Sequence, residues 1–147
     1  MLAAMEALLE QQEEFCAKPY RDSRGFLTIG YGTNLDAGIT RPMAAAWMYD
    51  VLAKNREALE KRPWFNAISV GAQDIIENMT YNLGLDGMLG FGQMVAALSQ
   101  TPPEYAVAAV AMRNSLWARQ IPNRAGPLAD AMEKCQTPTS QGERQNV

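Results

Sequence analysis

Three side chains in this 147-residue chain have the types and spacing to carry chemistry: Glu13, then Asp22 after eight intervening residues, then Thr28 after five more intervening residues. Breaking a glycosidic bond takes two carboxyl groups in different environments, one giving a proton to the leaving oxygen and one staying ionised to activate water or to offset developing positive charge. Glu13 suits the first role, because it borders an apolar helix face near the helix C-terminus, where a charged carboxylate is disfavoured. Asp22 suits the second, in a polar turn beside Arg21 and near Arg24. Thr28 offers a hydroxyl that could hold a water near Asp22. Taken on residue type alone, the same three also read plainly as a solvated helix carboxylate, a turn former and an ordinary strand residue. The chain has no histidine. That excludes His-ligated zinc, Ser-His-Asp triads and Cys-His nucleophiles, and leaves carboxylates as the leading acid and base.

The elements that must position these residues follow from periodicity. Leu2, Met5, Leu8, Leu9, Phe15 and Cys16 recur at helical spacing, which predicts a helix over Leu2 to Cys16. With Met5 at zero, steps of 100° place Glu13 at about 80°, beside Leu9 on the edge of the apolar face. The period then changes. Tyr20 to Leu35 reads as a β-hairpin or small sheet, with Asp22-Ser23-Arg24-Gly25 as its turn. Alternation puts Thr28, Gly30 and Gly32 on one face, and two glycines there suggest that something approaches the backbone closely.

The rest reads as helices. Thr40 can cap one from Arg41 to about Arg62, with Trp47, Met48, Val51, Leu52 and Leu59 as its apolar stripe. Ser69 can cap another, which Gly84 stops. Further helices are expected over Gln93 to Gln100, from Pro103 to about Arg113, and from Pro122 to about Cys135. Trp47, Trp64 and Trp117 read as core, and Thr137 to Val147 reads as a polar tail. The expected class is α+β, predominantly helical, with a small β element after the first helix.

The net charge is -3, from 13 basic and 16 acidic side chains, and no basic block suggests nucleic-acid binding. This mild acidity supplies no long-range attraction to an anionic polymer. Cys16 and Cys135 are too few for a disulfide framework and read as free, partly buried thiols, although a bridge between first and last helix is open to the sequence. The N-terminus carries Glu6, Glu10, Glu13 and Glu14 and no positive leader, and no apolar run approaches the roughly 18 residues of a membrane span. A chain made in the cytoplasm without a membrane anchor is expected.

Glu13, Asp22 and Thr28, at this spacing, resemble the catalytic residues of the phage-type lysozymes, glycoside hydrolase family 24. The whole stretch Tyr20-Arg21-Asp22-Ser23-Arg24-Gly25-Phe26-Leu27-Thr28-Ile29-Gly30-Tyr31-Gly32 is similar to that family's, as is Gly38-Ile39-Thr40 leading into the next helix. Asn78-Met79-Thr80-Tyr81-Asn82-Leu83-Gly84, Gly90-Phe91, Trp117 and Pro122-Asn123-Arg124-Ala125 resemble later family segments in the same order, so that the likeness runs from about Leu2 to Met132.

The resemblance implies a lysozyme-like fold, a small N-terminal β-hairpin lobe and a larger C-terminal helical lobe. It implies one catalytic domain over 1–136, with a β lobe at about 17–40, a linking helix at about 41–62, and a helical lobe at about 63–136 that also takes in the first helix. A polar tail would fill 137–147. The activity implied is an inverting muramidase, cutting β-1,4 bonds between N-acetylmuramic acid and N-acetylglucosamine in peptidoglycan for host lysis. Glu13 would be the general acid, Asp22 the carboxylate that positions or activates water, and Thr28 a holder of that water. Gly30, Asn82 and Phe91 would meet substrate, and Arg124 would support the helix carrying Glu13 through a charge-assisted bond. No cofactor or metal is implied. The protein would be a monomer that waits in the host cytoplasm and reaches the periplasmic wall through a partner holin. Two rivals stand beside this: a lytic transglycosylase, and an inactive wall-binding or virion-associated lysozyme-like module.

Overall fold

The computed structural model describes residues 2–136; the tail expected over Thr137–Val147 lies outside them. The fold is α+β and predominantly helical, with one small antiparallel sheet near the N-terminus, as the sequence predicts. In chain order the elements are α1 (Leu2–Gln12), β1 (Cys16–Arg21), β2 (Leu27–Gly30), β3 (Thr33–Asn34), α2 (Arg41–Glu60), α3 (Pro63–Ala67), α4 (Val70–Leu89), α5 (Gly92–Leu98), α6 (Tyr105–Arg113), α7 (Leu116–Gln120) and α8 (Pro122–Glu133). The described residues fall into two compact units that divide inside α2, between Met48 and Tyr49. This division groups α1 with the sheet, whereas the sequence suggested grouping it with the helical lobe.

The first unit is built on the sheet, ordered β1-β2-β3. β1 pairs antiparallel with β2 through Cys16↔Gly30, Tyr20↔Thr28 and Arg21↔Leu27, and the register shifts between Cys16 and Tyr20. Pro19 lies in that shifted stretch, where its missing N–H costs no ladder bond. The predicted turn forms: Gly25 N–H donates to the Asp22 carbonyl at 2.9 Å, and Asp22 N–H to the Phe26 carbonyl at 2.9 Å. α1 is shorter than expected. It ends at Gln12 because Cys16 is taken into β1, and pairing with Gly30 outweighs one more helical turn. None of its residues is buried, so its apolar positions do not form the packed face that the helical spacing predicts.

The second unit holds the core. Leu59, Phe65, Ile76, Met79, Met88, Met94, Leu98, Met112 and Met132 are fully buried, so five of the nine methionines are packing residues, filling gaps among α3 to α8. The Ser69 cap forms, its hydroxyl oxygen accepting from Ala72 N–H at 3.3 Å. Gly84 does interrupt the helix, at φ 74° and ψ 164°, but the chain resumes helical geometry to Leu89 instead of entering a loop. Arg56 fixes α2 to α4: its guanidinium donates to Glu60 at 2.9 Å, to Glu77 and to Gln73 at 3.2 Å, and lies 5.4 Å from the Phe65 ring centroid. Hydrogen bonds to Glu60 first and Glu77 second hold its pKa above the usual arginine value. Arg113 ties α6 to α8 through Asp130 at 2.8 Å and Glu133 at 2.5 Å.

Two core expectations need correction. Trp47 is 47% exposed, and of the predicted α2 stripe only Leu59 is buried. The first half of α2 belongs to the small unit, which has too few layers to cover a helix face. Trp117 is core as expected, and Trp64 is a partly buried neighbour of the core cluster. Both cysteines are free and partly exposed. No helix of the described residues is long and apolar enough to cross a membrane.

Candidate active site

All three residues singled out for chemistry lie in the first unit, within or next to its sheet. Glu13 closes the last turn of α1, its N–H donating to the Leu9 carbonyl at 2.8 Å. The chain then turns into β1, and this carries the Glu13 side chain onto the β2–β3 turn. A Cβ built on Gly32 would lie 3.4 Å from Glu13 Oε2 and 3.9 Å from its Cδ. Glu13 is exposed in this unit. The apolar flank expected from the α1 periodicity is therefore not present, because nothing in α1 is buried.

Asp22 opens the β1–β2 turn. Its Oδ1 accepts from Arg24 N–H and Phe26 N–H, both at 2.9 Å, and Oδ2 lies 3.9 Å from Arg24 Nε. Two amide donors and a guanidinium complement a carboxylate charge, and they leave Oδ2 without a short hydrogen bond. Thr28 lies opposite Tyr20, two residues before Asp22. Its residue is 3% exposed, and its hydroxyl donates to the Phe26 carbonyl at 3.0 Å. That bond uses the only donor and leaves the oxygen lone pairs free to accept, as from a water.

Gly30 and Gly32 differ from the expectation. Alternation stops at Gly30, because residues 30–32 form the turn between the paired Ile29 and Thr33. Gly30 (φ 66°) and Gly32 (φ 78°) both adopt the left-handed region that glycine enters without cost. A Cβ on Gly30 would meet nothing within 4 Å, so no close approach of protein atoms explains it. At Gly32 the approaching group is the Glu13 carboxyl. Nothing in the local pattern pairs Glu13 with Gly32, and the Gly-x-Gly turn is the one visible trace of the contact.

The other two expected binding residues lie in the second unit. Asn82, on α4, accepts at Oδ1 from Trp117 Nε1–H at 2.8 Å, which fixes the amide and leaves its NH₂ group available. Phe91 stands edge-on to Trp117, ring centroids 6.0 Å apart at 85°. Both rings line a cavity of about 420 Å³ together with Leu83, Met94 and Leu116, with Gln93 and Gln120 as polar lining. Trp117 thus holds Asn82 and walls the cavity, a role missed when it is read as core alone. Arg124 donates its Nε–H to Asn78 Oδ1 at 3.0 Å and so joins α8 to α4. Among the described residues no cluster of three His, Cys, Asp or Glu side chains could hold a metal ion.

No family model matches the chain. It is similar to a Dictyostelium discoideum protein named "Probable T4-type lysozyme 1", at 23% identity over 164 aligned positions that cover 90% of this chain and 95% of the relative. A small N-terminal antiparallel sheet followed by a helical body agrees with a lysozyme-like α+β architecture.

Proposed function

We propose that this chain is a muramidase of the phage-lysozyme type, which hydrolyses the β-1,4 bond between N-acetylmuramic acid and N-acetylglucosamine in peptidoglycan. The observation that carries the reading is the arrangement in the sheet unit: a free carboxyl at Glu13 laid against a glycine turn, and a second carboxyl at Asp22 tied on one oxygen and open on the other. The named likeness to a lysozyme over most of both chains supports it.

Glu13 acts as general acid to the leaving oxygen. It is exposed in the free unit, so sugar seated on the Gly30–Gly32 turn must exclude water from the carboxyl before the proton moves. Asp22 Oδ2 takes the water, and Thr28 completes its hydrogen bonding through a free lone pair. Water attack from the opposite face inverts the anomeric carbon, which calls for carboxyl groups roughly 6.5–9.5 Å apart. Gly30 gives the sugar an open backbone to lie on, the Asn82 amide donates to a sugar or acetamido oxygen, and Phe91 meets an apolar group in its cavity. The one domain over 1–136 works as a monomer and needs no cofactor. In the cell it waits in the host cytoplasm until a holin opens the inner membrane, then degrades the wall as an endolysin.

The test is turbidity loss of outer-membrane-permeabilised Gram-negative cells. Wild type should clear them, and Glu13→Gln should lose about 10²–10⁴-fold while staying folded. Asp22→Asn should fail comparably. Mass spectrometry should find reducing muramic ends; anhydro-muramic ends would show a transglycosylase instead, and wall binding without turnover would show an inactive module.

A further inference from the structure

We infer that Phe15 and Tyr31 form an aromatic clamp that positions the Glu13 carboxyl, making the two rings positioning residues of the proposed muramidase. The inference rests on that functional reading for its kinetic consequence, but on separate geometry for the clamp itself.

α1 has no buried residue and therefore does not hold Glu13 in place by packing. The restraint must come from the other side, where the chain enters the sheet. Cys16 pairs with Gly30 in antiparallel register. One step outward, the same register sets Phe15 opposite Tyr31, and the rings meet with centroids 5.3 Å apart at 51°. This is the tilted contact that aromatic quadrupoles favour. Glu13 stands two residues before Phe15, and Gly32 one residue after Tyr31, and these two positions come together closely enough that a Cβ on Gly32 would lie 3.4 Å from Glu13 Oε2. The ring pair is thus the last contact of the β1–β2 ladder before the carboxyl. Without it, the three residues between α1 and β1 are tied to the sheet only from Cys16 onward.

Phe15 is 60% and Tyr31 48% exposed, so neither is needed for a core, and removing a ring leaves the fold standing. Helical spacing assigned Phe15 to the apolar face of the first helix, and alternation placed Tyr31 on the face opposite Thr28. Neither pattern brings the two together. An exposed aromatic beside a carboxyl could also serve as a platform for sugar, and the experiment separates the two.

Phe15→Leu, Tyr31→Leu and the double variant keep apolar bulk without a ring; Phe15→Tyr and Tyr31→Phe keep the ring. The clamp predicts that each leucine variant lowers kcat by about ten- to a hundred-fold with little change in KM, since small misplacement of a reacting group costs up to about 10²-fold. The double variant should be no worse than the poorer single one, and the ring-keeping variants should stay within about three-fold of wild type. A rise in KM with kcat intact, or single losses that multiply in the double variant, would overturn the clamp in favour of a sugar platform. Leucine variants as active as wild type would also overturn it while leaving the muramidase reading in place. The clamp stays testable if wild type proves inert: NMR should show an NOE between the Glu13 γ-methylene and Gly32 Hα that both leucine variants lose, and an NOE that survives in them sinks the inference.

Discussion

Gly32→Ala and Gly32→Asn should change stability and turnover in opposite orders. Gly32 sits at φ 78°, and a Cβ there would be 3.4 Å from Glu13 Oε2. That distance is van der Waals contact without overlap, so alanine fits beside the carboxyl and suffers chiefly from its backbone. Left-handed geometry costs an alanine about 1–2 kcal/mol. Asparagine tolerates this region better, but its amide reaches about two bonds beyond Cβ and must take the space of the carboxyl. Moving a catalytic group by about 1 Å can cost on the order of 10²-fold. Gly32→Ala should therefore lose about 1–2 kcal/mol in urea unfolding and keep turnover within about ten-fold. Gly32→Asn should lose less stability and about 10²-fold in clearing rate. Gly38→Ala is the control, at the same φ of 78° with nothing within 4 Å, and should lose the same stability with activity unchanged. If Gly32→Asn clears cells at the wild-type rate, Glu13 does not work from its place on the glycine turn.

Three further outcomes follow from the contacts described. Asp22 both anchors its turn and, in the proposed mechanism, handles water: Asp22→Ala should cost about 1–2 kcal/mol by freeing two amides, whereas Asp22→Asn should keep most of that stability yet abolish clearing. Asn82→Leu leaves the Trp117 Nε1–H without its partner in a residue 5% exposed, and should cost about 1–3 kcal/mol with a shift in tryptophan fluorescence. Arg56→Met removes the tie between α2 and α4. The guanidinium is 39% exposed, so screening limits the loss to about 1 kcal/mol, smaller in high salt. Because its pKa is raised, the stability Arg56 contributes is complete below the unfolded arginine value and is lost only as pH rises through the folded value. The Arg56→Met loss should accordingly match at about pH 6 and pH 9, and chemical unfolding at the two pH values checks it.

Local signals were the legible part. Thr40 and Ser69 could be read as caps, and both cap: Met43 N–H donates to the Thr40 hydroxyl at 3.4 Å and Ala72 N–H to that of Ser69 at 3.3 Å. The Asp22–Gly25 turn and the break at Gly84 were equally readable, because capping, turn geometry and glycine's free φ act within a few residues. The α+β class followed from the change of hydrophobic period after the first helix. Three candidate residues, Glu13, Asp22 and Thr28, stood out by type and spacing.

Contacts between distant residues were decided only by the tertiary structure. Apolar spacing promised packed faces on α1 and at Trp47, but burial depends on a neighbouring layer, and the sheet unit is too small to supply one. Alternation put Gly32 on a strand face; the pairing of Ile29 with Thr33 turned it into a turn residue and set it against Glu13. Asn82 could be marked as polar, but its partner Trp117 lies 35 residues away and becomes a neighbour only through the packing of α4 and α7. The sequence by itself determined which residues carry donors, acceptors and special backbone, since those properties belong to each residue. Which of them meet was left to the fold, because a contact across the chain depends on how whole elements pair and pack.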